Sequence, residues 1–378
     1  MSRLEDIQVL NLKAGEFVEV RSREEILSTL SDDATFDGLP FMPEMFRFCG
    51  ARFPVYKRAH KTCDTVNPVQ SRRMSNAVHL ETRCDGAAHG GCQAGCLIFW
   101  KEAWLKRVES MSPPSSKTDS IRVLGAGANN VKSTCPEESV YKSTRAGNED
   151  GVDSPYSCQA TMLPSATTEL KWWHVSQYFE DYFSGNVGLI TMVKGMLYSL
   201  LFSAGQLRWI GWQVSKMYEL VHPLWNGIPW PKRNGVIATD KPTPTASLEL
   251  KPGELVRVKP YHEILKTLNR RNKNRGMLFD KEMVPYCGGE YRVLKRISRI
   301  INEKTGELQE MKNQCIVLDS VVCESRYSEC RLFCPRSIYP YWREVWLERV
   351  HEPAAIPSTQ TVRAQSVQTA HSGLVLTK

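Results

Sequence analysis

The sequence predicts an α+β chain, mostly β, in which one small β-barrel-like module is written twice with a polar linker and an aromatic helical segment between the copies. Two observations carry that reading. "LKAGEFVEVRSREEILSTL" from Leu12 matches "LKPGELVRVKPYHEILKTL" from Leu250, and the same offset of 238 (250 minus 12) then holds through long diverged stretches. A length of 378 residues, 42% hydrophobic against 24% charged, is also enough for two or three domains with real cores.

The register is sustained. Gly38 falls on Gly276, Phe41 on Phe279, Glu44-Met45 on Glu282-Met283, Cys49-Gly50 on Cys287-Gly288, Lys57-Arg58 on Lys295-Arg296, Leu80 on Leu318, Cys92 on Cys330 and Cys96 on Cys334. After a four-residue insertion, "WKEAWLKRV" (100–108) matches "WREVWLERV" (342–350). The copies span 1–108 and 250–350, each of a size to fold alone. Alternating runs "EFVEVR", "FPVYKR" and "AVHLET", with "ELVRVK", "YRVLKR" and "CIVLDSVV" in the second copy, read as period-two strands. "SREEILSTL" and "PYHEILKTL" read as one short helix per copy. The opening "LKPGELVRVK", a turn glycine before an alternating strand, resembles the first strand of SH3-like barrels, which implies a barrel of about five strands. Cys49 and Cys287 before matched glycines, and the pairs Trp100/Trp104 and Trp342/Trp346, suit packing.

Residues 109–170 hold "SMSPPSSKTDS" and "KSTRAGNEDGVDSPYS", compositions that bury no core, so a flexible linker is expected there and again over 351–378. "VLGAGANN" within it lacks the third glycine and the following helix of a dinucleotide loop. Residues 171–231 carry six of the ten tryptophans and an apolar run, Val187–Gly205, at the lower limit for a bilayer span. Leu189, Val193, Met196 and Leu200 follow helical spacing, with Ile190, Leu197 and Leu201 beside them. A single span would put two related cysteine-rich modules on opposite sides of a membrane. Arg208, Trp209, Trp212 and Lys216 suit an interfacial helix on anionic lipid, and a helix packed on the modules is the alternative.

"MSRLEDIQVLNLKAGEFVEV" has no basic stretch followed by an apolar one, so the default compartment is the cytoplasm, with membrane association as an alternative. There the twelve cysteines stay reduced, which favours metal over disulfides. In the second copy Cys315, Cys323, Cys330 and Cys334 are expected to converge on one structural Zn²⁺. The first copy keeps Cys84, Cys92 and Cys96, with His79 or His89 as fourth ligand. Four thiolates leave no open position, which argues for a structural ion. His60, Cys63, His79 and His89 have no counterparts in the second copy. A Cys63 nucleophile with His60 or His79 as base is therefore the one catalytic alternative, and its reaction is not legible.

The copies also differ in charge: "SDDATFD" (31–37) becomes "NRRNKNR" (269–275). Arg270, Arg271, Lys273 and Arg275 could bind an anion where the first copy would repel it. The formal net charge of +8 points the same way, to an acidic or phosphate-bearing partner. Nucleic acid is disfavoured because no aromatic residue interleaves the basic loop before Phe279. Together these readings favour a non-catalytic binding or scaffold protein with protein partners, built on two zinc-stabilised modules, its helical segment docked either on a membrane surface or between the modules.

Overall fold

A computed structural model of the chain describes residues 9–67, 70–108, 135–146, 154–207, 209–225, 227–229, 234–328 and 330–350. The expected tail and the stretches 109–134 and 147–153 of the expected linker lie outside them. The architecture is mixed α and β with strands prevailing, gathered into two curled half-barrel sheets. In the first sheet the strands neighbour in the order Leu97–Lys101, Ala77–Arg83, Arg52–Arg58, Phe17–Val20 and Leu105–Arg107. The second runs Leu308–Leu318, Glu290–Ile301, Leu255–Val258 and Leu347–Arg349.

The same residues pair in both. Phe17 faces Pro54 and Val18 faces Arg107 in the first sheet; Leu255 faces Arg292 and Val256 faces Arg349 in the second. Alternation along these strands turns Val18 and Val20, and Val256 and Val258, fully inward. Trp104 meets Phe41 edge-on at 5.3 Å, and Trp346 meets Phe279 at 5.1 Å. Each indole also donates to a threonine at the end of the short helix, Trp104 Nε1 to Thr29 Oγ1 and Trp346 Nε1 to Thr267 Oγ1. A buried indole thus has its one polar atom satisfied. The first helix, Arg23–Leu27, starts at a capping box in which Ser22 and Glu25 exchange hydrogen bonds. In the second, Tyr261–Thr267, Pro260 takes the cap position, so no side chain supplies that bond.

One expectation is corrected. Residues 135–146 and 154–170 are packed chain, not linker. Cys135 and Val140 are fully buried in the first core, and the Thr168–Leu170 strand pairs with Ser71–Arg73. Gln159 accepts from Phe99 N and donates to Phe99 O and Pro40 O. A polar stretch needs few apolar anchors when an existing sheet edge supplies backbone partners; average composition hides that.

The helical segment folds as Ser176–Phe183, Leu189–Gly205 and Gly211–Val221. No helix among the described residues is long and apolar enough to cross a membrane. Leu189–Gly205 docks through Met192, Gly195 and Tyr198, and a Cβ on Gly195 would lie 2.7 Å from the Phe333 ring, so the small residue sets the approach. Its leucine-rich stripe faces outward, with Ile190 73% and Leu200 67% exposed. Arg208 lies outside the described residues.

Candidate metal centre

Cys84 leaves the Ala77–Arg83 strand, and Cys92 and Cys96 sit on the loop that returns the chain to Leu97–Lys101. That loop is pinned by Cys84 N to Cys96 O at 2.9 Å and Gly91 N to Gly86 O at 2.9 Å. Gly86 has φ +73°, and a Cβ there would strike Cys92 O, so the turn requires glycine. Cys158 arrives from the 154–170 segment. All four cysteines line one small cavity of about 40 Å³, together with His89, Ile98 and Arg336. Burial pushes the Cys84 and Cys158 thiols up and Cys96 up to about 12, so as thiols they stay protonated. A thiophilic ion would displace those protons.

Glu44, Cys84 and His89 bring three ligand-type atoms within 4.8 Å of one another. His89 is already engaged: Nδ1 lies 2.7 Å from Glu44 Oε1 and Nε2 3.0 Å from Ser157 O. Each ring nitrogen faces an acceptor, so binding an ion through His89 would cost one of these contacts. Burial alone would raise the Glu44 carboxyl; the His89 hydrogen bond and charge hold it below its usual range. At the matched position of the second half, Tyr327 replaces His89. Glu282 accepts from Tyr327 N, Ser328 Oγ and Arg326 N, yet burial without a cation pushes it up to about 7.

The sign follows. A carboxyl raised from 4.5 to about 7 on folding contributes stability that is complete below about pH 4.5 and lost as pH rises through 7, on the order of 3 kcal/mol. Glu282→Gln removes the titration, so its melting temperature relative to the parent is expected to climb between about pH 5 and about pH 8. Parallel thermal melts across that window check it; a constant difference would refute it.

The remaining expected ligands fall elsewhere. His79 is fully buried away from the cavity, with Nδ1 2.9 Å from Ile98 O and its ring 4.4 Å from Phe99; desolvation lowers it to about 3. Cys315 does not join Cys323, Cys330 and Cys334: its sulfur lies 3.8 Å from Met277 Sδ and 3.2 Å from Arg343 Nη1. Cys315 sits on a strand whose alternation aims it at those neighbours. Cys334 meets Cys63 instead, whose backbone N–H donates to its sulfur at 3.0 Å.

That contact also splits the expected catalytic pair. Hydrogen bonding to Cys334 and burial push the Cys63 thiol well up, the reverse of an activated nucleophile, while the bond from Cys63 pulls Cys334 down to about 7. His60 turns to Asp181, with Nε2 3.3 Å from Oδ1. Beside it, Lys61 Nζ lies 2.5 Å from Asp181 Oδ2 and donates to Leu332 O at 2.8 Å. Strand Lys61–Cys63 is thus clamped between the Ser176–Phe183 helix and the second half. Arg270, Arg271, Lys273 and Arg275 are all exposed on a tight turn in which Asn272 and Arg275 have positive φ.

Sequence reasoning missed Cys158, Glu44 and Arg336. Glu44 carried a signal, its retention as Glu282; Cys158 carried none, because it stands in the segment read as linker. Compared with family models, with curated proteins and with solved structures, the chain matches none.

Proposed function

We propose that the protein is a non-catalytic scaffold in which two copies of one β module, SH3-like in their opening strand, are stabilised by metal–thiolate chemistry and presented at an anionic membrane surface. The observation that carries it is the convergence of Cys84, Cys92, Cys96 and Cys158, from two separate segments, on one small cavity. Four half-buried thiols around a void larger than the roughly 10–15 Å³ a water needs suit a thiophilic metal. Zinc, expected from the sequence, belongs to that class. The copies themselves are supported by matched registers, matched tryptophan–threonine bonds and matched buried glutamates.

The test is elemental analysis of the full chain beside Cys158→Ser. The variant is expected to lose the metal of this centre and melt lower, with a cost of about 3 kcal/mol or more, since metal affinity here is folding energy. A parent that is metal-free and folds as stably with chelator as without would overturn the reading. The alternative, an enzyme on Cys63 and His60, is less well supported because those two side chains face different partners.

The membrane contact is supported by the outward stripe of Leu189, Ile190, Val193, Leu197 and Leu200, continued by Trp209, 89% exposed, and Trp212, over which Lys216 lies at 4.0 Å. The exposed basic turn 270–275 would add attraction to acidic headgroups or to a phosphate-bearing protein. Full-length protein is expected to float with vesicles containing phosphatidylserine, and Leu200→Glu with Ile190→Glu to stay behind. Equal flotation of both would remove the membrane from the proposal.

A further inference from the structure

We propose that the protein carries two iron–sulfur clusters: one in the first half on Cys84, Cys92, Cys96 and Cys158, the other between the halves on Cys63, Cys323, Cys330 and Cys334. The inference rests on the reading that the first cavity holds metal, and it names the metal chemistry.

The same ligand plan occurs twice. In each half the chain that follows a strand supplies three cysteines, 84, 92 and 96 after Ala77–Arg83 or 323, 330 and 334 after Leu308–Leu318, and the fourth comes from a remote segment. For the first set that is Cys158. For the second it is Cys63, which reaches across from the first half to Cys334 Sγ. Cys323 lies within electrostatic reach of both Cys63 and Cys334. Cys330 is brought alongside by Ser71 Oγ, which donates to its carbonyl; Ser71 is the cross-strand partner of Cys63. Cys63 and Cys323 also face a second cavity of about 210 Å³.

The spacing separates a cluster from a single ion. Tetrahedral zinc with Zn–S bonds of about 2.3 Å draws its sulfurs to about 3.8 Å from one another. Among the described residues, no three cysteine sulfurs lie within 4.8 Å of each other; the one group that tight is Glu44, Cys84 and His89. A cluster spreads its four thiolates over two or four irons, so the four sulfurs need not all close to the mutual contact that one ion demands, and a close pair such as Cys63 and Cys334 fits one shared iron.

Charge supplies the independent observation. Arg336, 2% exposed, lines the first cavity; its Nη2 donates to Glu303 Oε1 at 2.9 Å, and its Nη1 has no partner among the described residues. A buried guanidinium N–H left open is costly, and here it borders a ring of thiols. Arg83, bonded to Gly95 O and Ser337 O, and Lys295, whose Nζ lies against Gly95, add positive charge on the same loop. Four thiolates on a cluster make a net anion, the complement of these cations. Arg336 is within electrostatic reach of Cys63 as well as Cys96, which sets it between the two thiol groups.

The full chain would be purified without oxygen, and a portion reconstituted with ferrous iron and sulfide. Iron, acid-labile sulfide, zinc and visible absorption would be measured on both. The expected result is iron and sulfide in near-equal amounts with thiolate-to-iron absorption, and loss of about half of each in Cys158→Ser and, separately, in Cys63→Ser. Stoichiometric zinc without sulfide would overturn the cluster while leaving the metal–thiolate reading standing. A folded chain that takes no metal would overturn both, and Cys63→Ser with undiminished iron would remove the second cluster. Should either variant fail to fold, the iron-to-sulfide ratio and spectrum of the parent still decide the chemistry.

Discussion

Asp181→Ala is expected to destabilise the protein by about 3–5 kcal/mol, because it strands a lysine in a dry interface. Lys61 and Asp181 are 1% and 0% exposed, and among the described residues the ammonium has only Asp181 Oδ2, Leu332 O and a longer contact at 3.5 Å to Gln177 Oε1. The Tyr178 and Phe333 rings cover the rest at 5.1 and 5.9 Å. Burial already lowers the Lys61 pKa, against which the Asp181 charge and hydrogen bond act to raise it. Removing that carboxylate lowers it further. A base depressed on folding gains stability as pH rises toward its unfolded value, so the penalty is expected to be largest near neutral pH and to shrink in alkali.

Lys61→Met combined with Asp181→Leu is expected to recover most of the loss, since replacing both charges leaves no buried charge unpaired and releases only the neutral partners Leu332 O, Gln177 and His60. Urea denaturation of the singles and the double, at two pH values, checks both points. A single-variant cost below about 1 kcal/mol, the range of an exposed pair, would show that water reaches the site. The consequence reaches the second thiol group, because Cys63 follows Lys61 on the same three-residue strand. Loosening the clamp should weaken any centre that Cys63 helps to hold.

What could be read from the chain, and what could not, divides by the range of the interaction. The paired strands around Val18 and Val256 were legible because period-two alternation is local and the register at an offset of 238 repeats it. Cys84, Cys92 and Cys96 were legible as a group because one loop carries them. The fourth partner was not, in either half. Counting within a copy pointed to Cys315 and to His79 or His89, whereas the fold brings Cys158 from a polar stretch and Cys63 from the other half. His79 and Cys315 sit on strands whose faces were assigned one residue at a time, and the opposing sheet decides which face is the cavity. The outward stripe of the Leu189–Gly205 helix was visible as periodicity, but the side that docks is marked by Gly195, where the signal is the absence of a side chain.

Glu102→Ala is expected to cost about 3 kcal/mol or more, the largest effect of any single carboxylate in the first half. Glu102 is 2% exposed and grips the chain entering the first strand: Oε2 accepts from Leu10 N at 2.7 Å and Asn11 N at 2.9 Å, and Oε1 from Leu12 N at 3.0 Å. Asn11 has φ +50°, a conformation that turns these successive N–H groups toward one anion. Alanine leaves three amide donors and the guanidinium of Arg58, 3.6 Å away, without that acceptor, at about 1–3 kcal/mol for each donor that water does not reach. Leu12, fully buried, would be pulled loose with its backbone. Glu102→Gln keeps one accepting oxygen and turns an amide N–H toward the remaining donor, so it is expected to fall between parent and alanine. The second half repeats the device: Glu344 accepts from Leu248 N and Leu250 N and pairs with Arg296 at 2.5 Å, while Glu249 has φ +49°. Glu344→Ala is therefore expected to loosen only the 248–250 entry and, with two amides released instead of three, to cost less. Denaturant titration ranks the three variants, and amide exchange at residues 10–12 and 248–250 assigns each loss to its own entry segment. Exchange at residues 10–12 that is as slow in Glu102→Ala as in the parent would show that the grip is not what holds the chain there.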